Sequence, residues 1–323
     1  MGWAEEWRPA AAMPVLRLRA ALLAELRRLF AARGVMEVET PMLAHAGAPE
    51  PQLQNLRTRL NLPGASVGTW MYLQTSPELH MKRLLAAGSG PIYQVARVFR
   101  DGERGRLHHP EFTLVEWYRP GFDHHLLMDE IGQLLAALLG SGPGERLSYA
   151  EAFARHAGID PFHASAQALR EHCTALGLMP GSVDDRDQHL DFILSRQVGP
   201  RLGMQAPCFL YDFPDSQAAL ARVRPGRPPV AERFEVFYRG IELANGFHEL
   251  RDPRTQRRRL EQACDKRRQA GTGDGVPDER FLAALAYGLP DCSGCAVGLD
   301  RVLMIRAGLD DISQALAFPV EIA

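Results

Sequence analysis

The 323-residue chain lacks the common nucleotide cradles. It has no G-x-x-x-x-G-K-[ST] loop and no G-x-G-x-x-G turn, so a polyphosphate would have to be met by other means. It also lacks an excess of positive charge. Lys and Arg number 37 against 39 Asp and Glu, for a net charge of −2, which argues against a general nucleic-acid binder. No apolar run approaches the roughly 18 residues of a membrane span. Residues 1–14 carry Glu5 and Glu6 and no apolar core segment, so they do not read as a secretory signal. The five cysteines are odd in number and scattered, which suits a reducing cytoplasm. Cys292 and Cys295 form a lone C-x-x-C without a second pair. The pairs His108-His109 and His124-His125 have no matching carboxylate or cysteine nearby in sequence, and neither is read as a metal site.

What is present is an ordinary globular composition, 46% hydrophobic and 24% charged, long enough for one large core. Leu22, Leu23, Leu26, Leu29 and Phe30 make one stripe of a helix over 15–33, with Gly34 as its stop. Thr75-Ser76-Pro77-Glu78 is a helix start with Ser76 as cap. Residues 92–99 and 112–118 read as an antiparallel hairpin with a long charged tip. Residues 234–238 and 241–244 form a second hairpin turning at Arg239-Gly240. Helices are expected over 126–139, 253–270, 278–288 and 301–307. The stretch 141–205 reads as a helical insertion in a single domain spanning 1–323. Hairpins with helices outside them predict an α+β fold, an antiparallel β-sheet flanked by helices.

Two arginines stand out. Arg100 follows the apolar run ending at Phe99, and Arg301 follows Gly298-Leu299-Asp300. Fixed guanidinium forks are what a displacement at phosphorus needs to spread its charge. Glu235 and Glu242 flank the Arg239-Gly240 turn, where acids on adjacent strands can meet on one face and hold Mg²⁺ with phosphate oxygens and water. Glu242, Asn245 and Glu249 interrupt an otherwise apolar run over 240–250. Acids among buried residues need partners, and a cationic ligand supplies one.

These segments resemble the catalytic core of class II lysyl-tRNA synthetases over nearly the whole chain. Gly34-Val35-Met36-Glu37-Val38-Glu39-Thr40-Pro41 looks like motif 1, the dimer element. Phe99-Arg100 through Glu116-Trp117-Tyr118 looks like motif 2, and Gly298-Leu299-Asp300-Arg301 like motif 3. Motif 1 begins at about residue 34, which leaves no room for an anticodon-binding domain. A core of that kind, with Trp7-Arg8-Pro9, Glu116-Trp117-Tyr118-Arg119-Pro120, Val230-Ala231-Glu232-Arg233-Phe234-Glu235 and Pro290-Asp291-Cys292-Ser293-Gly294, resembles the elongation factor P–(R)-β-lysine ligase family.

The resemblance implies a cytoplasmic, homodimeric, ATP-dependent ligase. It would activate (R)-β-lysine or lysine as an adenylate and transfer it to a lysine of elongation factor P, with ATP and Mg²⁺ and without tRNA or a membrane. Arg100 and Arg301 would be catalytic. Ser76, Pro77, Glu78, Glu116, Tyr118, Asn245, Glu249 and Ala296 would bind the amino acid. Arg100, Asp101, Gly102, Glu103, His109, Phe112, Glu242, Leu243, Gly298 and Arg301 would bind ATP, with Glu235 and Glu242 on the metal. Ala296 stands where lysyl-tRNA synthetases usually carry glycine, a methyl-sized change in the pocket. The chain departs from the family at Asp101-Gly102-Glu103: motif 2 usually reads Arg-Asn-Glu, whereas here Gly102 stands at the glutamate position, Glu103 follows one residue later, and His109 replaces a usual asparagine. Those changes put the adenine contact in question and leave two other readings open, a ligase loading a different carrier and a non-catalytic regulatory paralogue. Finally, residues 251–268 hold eight basic side chains against three acids. They form either a solvated helix face or a docking surface for an acidic acceptor.

Overall fold

The computed structural model describes residues 7–47, 50, 53–61, 63, 68–179, 181, 185–269, 271 and 276–323. Glu5 and Glu6, residues 180 and 182–184 of the helical stretch and residue 270 of the expected 253–270 helix lie outside them. In chain order the elements are α1 (Met13–Ala32), β1 (Met36–Glu37), β2 (Leu43–Ala44), β3 (Arg57–Leu60), β4 (Thr69–Leu73), α2 (Glu78–Ala86), β5 (Ile92–Phe99) and β6 (Glu111–Pro120). Then come α3 (His124–Leu139), β7 (Glu145–Ser148), α4 (Tyr149–Ala157), α5 (Ala166–Ala175), α6 (Arg186–Ile193), β8 (Cys208–Pro214), β9 (Val223–Arg224), β10 (Val230–Tyr238) and β11 (Ile241–His248). The last are α7 (Pro253–Gln269), α8 (Glu279–Gly288), β12 (Cys292–Gly298) and α9 (Leu299–Ala307).

The described residues group into two compact units. The first holds residues 1–121, 251–292 and 296–323, and the second holds 122–250 and 293–295. In the first unit α1 begins with proline in its first turn and buries Leu22, Leu26 and Phe30 at i, i+4 and i+8. Phe30 stacks on Tyr93 at 4.3 Å and meets the edge of Trp117 at 5.3 Å, which fixes α1 on the β5–β6 hairpin. That hairpin is antiparallel over its full length, with Ile92 opposite Tyr118 and Phe99 opposite Glu111. A separate small sheet orders its strands β2-β4-β3.

The second unit is built on the strand run β11-β10-β8-β7, with β9 on the flank of β10. Its central turn has Arg239 at φ 53° and Gly240 at φ 70°, the left-handed pair that a two-residue hairpin requires. Helices α4, α5 and α6 cover this unit's core, where Tyr149 stacks on Phe153 at 4.4 Å. The capping box of Ser148 and Glu151 starts α4, and Asp123 caps α3 by accepting from the Leu126 N–H at 2.8 Å.

Three expectations shift. Two of the pairings are parallel, β1 with β5 and β7 with β8, so the sheet is mixed rather than wholly antiparallel. The second hairpin runs on through Asn245, Gly246, Phe247 and His248 because Gly246 removes the side chain that would collide with Phe234 and Cys295. Helix α2 begins at Glu78 rather than at the Ser76 cap, although the Ser76 hydroxyl still accepts from the Glu78 N–H at 3.0 Å.

Candidate active site

In the first unit, the hairpin tip presents Arg100. Its N–H donates to Pro110 O at 2.9 Å and closes the tip. Its guanidinium lies 4.9 Å from the Phe112 ring centre and 3.5 Å from Glu103, while its Nε is buried with no partner among the described residues. A partly exposed fork with a donor to spare, flattened on an aromatic face, suits a phosphate oxygen. Gly102 sits at φ 76°, a left-handed turn that turns the loop and lets Glu103 come back to Arg100. Arg301, in the first turn of α9, reaches the same tip. Its Nε donates to Leu107 O at 3.1 Å and its other nitrogen lies 3.0 Å from His108 Nε2. Gly298 is the N-cap of α9, so Arg301 also sits at the positive end of that helix.

His109 behaves differently from the expectation of a nucleotide contact. It is buried, its Nδ1 lies 2.6 Å from Glu111 O and its Nε2 accepts from the Val320 N–H at 2.9 Å. Both nitrogens are used inside the chain. What His109 offers is a fixed loop, tied to the C-terminal segment.

Below the tip lies a buried acidic cluster. The Ser76 hydroxyl donates to Glu116 Oε2 at 2.7 Å and the Tyr118 hydroxyl donates to Oε1 at 2.6 Å. Burial, and then the charge of Glu78, push the Glu116 carboxyl up to about 7. Glu78 accepts from Lys82 Nζ at 2.6 Å across one helical turn. Glu50 faces the same charges, and burial followed by Glu78 raises its pKa. A cleft lined by Glu50, Gln74, Thr75, Ser76, Glu78 and Asp278 opens here, with Pro77 at the N-terminal edge of α2. Ala296, in β12, packs with Phe112 on Val98 and Leu114.

In the second unit, Glu235 stands opposite Asn245 in the β10–β11 register. Arg233 links them, donating to Glu235 Oε1 at 2.6 Å and to Asn245 Oδ1 at 3.2 Å. Burial, and then the charge of Glu242, raise the Glu235 carboxyl to about 8. A buried carboxylate pushed up by a like-charged neighbour is what a divalent cation would relieve, so Glu235 and Glu242 fit Mg²⁺. Leu243 is buried beside Glu242, and Glu249 is fully buried just after β11.

The family described as tRNA synthetases class II (D, K and N) matches residues 6–322. The chain belongs to the class II tRNA synthetases. Among curated proteins it is 49% identical to the elongation factor P–(R)-β-lysine ligase of Salmonella dublin, over 98% of both chains. The proteins of the same name from Salmonella heidelberg and Salmonella enteritidis PT4 match equally. No described helix is long and apolar enough to cross a membrane.

Asp300 is 1% exposed. It accepts from the Thr113 N–H at 2.6 Å and pairs with Arg19, whose other nitrogen donates to Thr113 Oγ1 at 2.6 Å. This clamp sets the start of α9, and so Arg301, against β6. Arg19 reads as a solvent-facing helix residue, and no local signal marks it. Lys82 does leave a signal, a lysine four residues after Glu78 inside an apolar helix face. Glu50 leaves none.

The basic run folds as α7, and much of its charge is already met. Arg257 makes two bonds to Glu279 at 2.7 and 2.8 Å, Arg268 pairs with Asp265, and buried Arg267 donates to Glu50 O at 2.9 Å. Arg254 and Arg258 remain exposed.

Proposed function

We propose that the chain, as one catalytic domain with 141–205 as a helical insertion, activates (R)-β-lysine or lysine with ATP and ligates it to elongation factor P. A carboxylate oxygen of the amino acid attacks the α-phosphorus, and pyrophosphate leaves. The acceptor lysine's ε-amine, having lost a proton, then attacks the adenylate carbonyl, and AMP leaves as the amide forms. The observation that carries this reading is the buried carboxylate Glu116, held by Ser76 and Tyr118 beside Glu78. Burial raises this carboxyl to about 7, and a further cation in the pocket would favour its charged form; a diamine substrate brings that cation.

Each remaining residue has a proposed task. Arg100 binds the α-phosphate and Arg301 the far end of the triphosphate, with Phe112 behind Arg100. Asp101, Gly102 and Glu103 shape the loop at the nucleotide, and His109 keeps that loop in place. Gly298 starts the helix that aims Arg301, and Leu243 packs under Glu242. Asn245 and Glu249 contact the amino acid, and the Ala296 methyl trims its pocket. Glu235 and Glu242 hold Mg²⁺, which when bound neutralises phosphate charge. The protein is proposed to work in the cytoplasm as a homodimer and to use no tRNA.

The experiment is twofold. Pyrophosphate exchange is measured with lysine and with each β-lysine isomer, and elongation factor P is weighed by mass spectrometry after incubation with ATP and each amino acid. Exchange with (R)-β-lysine and a matching mass gain on elongation factor P is the expected result. Exchange without any mass gain would point to another carrier, and no exchange would remove the catalytic reading.

A further inference from the structure

We propose that His124, Glu232 and His248 form a transition-metal site in the second unit, with Zn²⁺ as its ion. The sequence gives no hint of it, because the three residues come from distant segments. His124 opens α3, Glu232 lies in β10 and His248 closes β11. One ligand atom from each lies within 4.8 Å of the other two, and the residues are 2%, 4% and 5% exposed.

The first argument is an unmet need. Both ring nitrogens of buried His124 have no hydrogen-bond partner among the described residues. A neutral imidazole buried that way forfeits a donor and an acceptor, and a metal bond would satisfy one of the two. The second argument is the donor set. His248 Nδ1 already lies 2.8 Å from Glu232 Oε2, and the His124 ring centre is 6.3 Å from that of His248. Metal–nitrogen and metal–oxygen bonds of about 2.0–2.2 Å put tetrahedral ligands roughly 3.3 Å apart. Small side-chain rotations separate the present arrangement from that one. Two imidazoles and one carboxylate select zinc over the oxygen-seeking Mg²⁺, and leave a fourth position for water.

Two arginines oppose the ion, Arg222 at the shorter distance. Arg222 Nε lies 3.0 Å from Glu232 Oε2, and Arg224 approaches the other oxygen at 3.8 Å. The Arg222 side chain is 47% exposed, so it can leave for solvent when zinc enters. It competes for the same carboxylate, which makes the site sensitive to this one side chain. A bound ion would tie the start of α3 to the ends of two strands, one residue before Glu249.

The test uses the full-length protein, stripped with a chelator, incubated with Zn²⁺ in excess Mg²⁺ and desalted. Zinc is then measured by elemental mass spectrometry and unfolding by thermal melting. The expected result is one retained zinc per chain with a raised melting temperature, loss of both in His124→Met, and several-fold tighter binding in Arg222→Ala. Co²⁺ substitution supplies a second readout in the unmutated protein, since a four-coordinate site of two imidazoles, a carboxylate and water gives far more intense visible absorption than six-coordinate oxygen-only sites, so a poorly folding His124→Met leaves the idea testable. No stoichiometric zinc in the unmutated protein would overturn it. So would equal retention by His124→Met, which would put the ion elsewhere.

Discussion

Lys82 Nζ lies 2.6 Å from Glu78 Oε1, and the lysine is 2% exposed. The pocket therefore does not meet its substrate with bare acids. Lys82 already answers one carboxylate, and the Glu116 and Glu50 carboxyls share what remains. Removing one partner of a buried pair strands the other's charge. Lys82→Met should cost about 3 kcal/mol of stability in urea unfolding, and Lys82→Met with Glu78→Gln should recover part of it. A single mutant as stable as the parent would mean that the pair contributes no net stability.

The raised carboxyls set a pH dependence. Folded Glu116 and Glu235 hold their protons up to about 7 and about 8, while unfolded carboxyls release theirs near 4.5. Between those values the folded chain binds more protons, so stability falls as pH rises. His124 works the other way, because it is neutral when folded and charged when unfolded, but its contribution is complete above about pH 6.5. In metal-free buffer the melting temperature should fall between about pH 6.5 and 8.5. Glu235→Gln should flatten the slope, and Mg²⁺ should oppose the fall. A melting temperature that rises across that window would contradict the assignment.

Arg301→Ala should suppress adenylate formation by about 100-fold or more with the melting temperature nearly kept. Its Nε bonds the Leu107 carbonyl and another guanidinium nitrogen lies beside His108, both in the hairpin tip. Near-normal pyrophosphate exchange would take Arg301 out of the mechanism.

How much of this was legible in the sequence follows from range. The hairpin carrying Arg100, the helix start at Glu78 and the turn between Glu235 and Glu242 each rest on local chemistry, and each appears within a residue or two of its expected place. The parallel strands β1 and β7 pair with residues far away in sequence, and β1 spans two residues, too short for periodicity to show. Arg19 is far in sequence from Asp300, and His124 is far from the β10–β11 hairpin that carries Glu232 and His248. Only the fold can bring such groups together. His109 reads as a ligand by its motif position, but its ring is held by the nearby Glu111 carbonyl and by the Val320 N–H, at the other end of the chain.

A homodimer should form through residues 33–41 and the helix before them. In the single chain Met36, Met42 and Trp70 are 51%, 50% and 43% exposed, apolar surface that a partner copy would cover. Sedimentation at micromolar concentration should give a dimer, and Met36→Glu should shift it toward monomer. A monomeric parent protein would refute this.

Helix α7 narrows the idea of a basic docking face to two residues. Arg257 is committed to Glu279, so reversing its charge would break a bond between α7 and α8 and confuse docking with folding. Arg254 and Arg258 are exposed and four residues apart, which puts them on one face of the helix. An acceptor that mimics tRNA presents negative charge, and a pair of guanidiniums would speed its encounter most at low salt. Arg254→Glu with Arg258→Glu should slow modification of elongation factor P several-fold at low ionic strength. The deficit should shrink as salt is added, and pyrophosphate exchange should stay unchanged because no amino acid or nucleotide contact is altered. An unchanged modification rate at low salt would reduce these arginines to a solvated helix face, and a matching loss of exchange would show damage to the core rather than to docking.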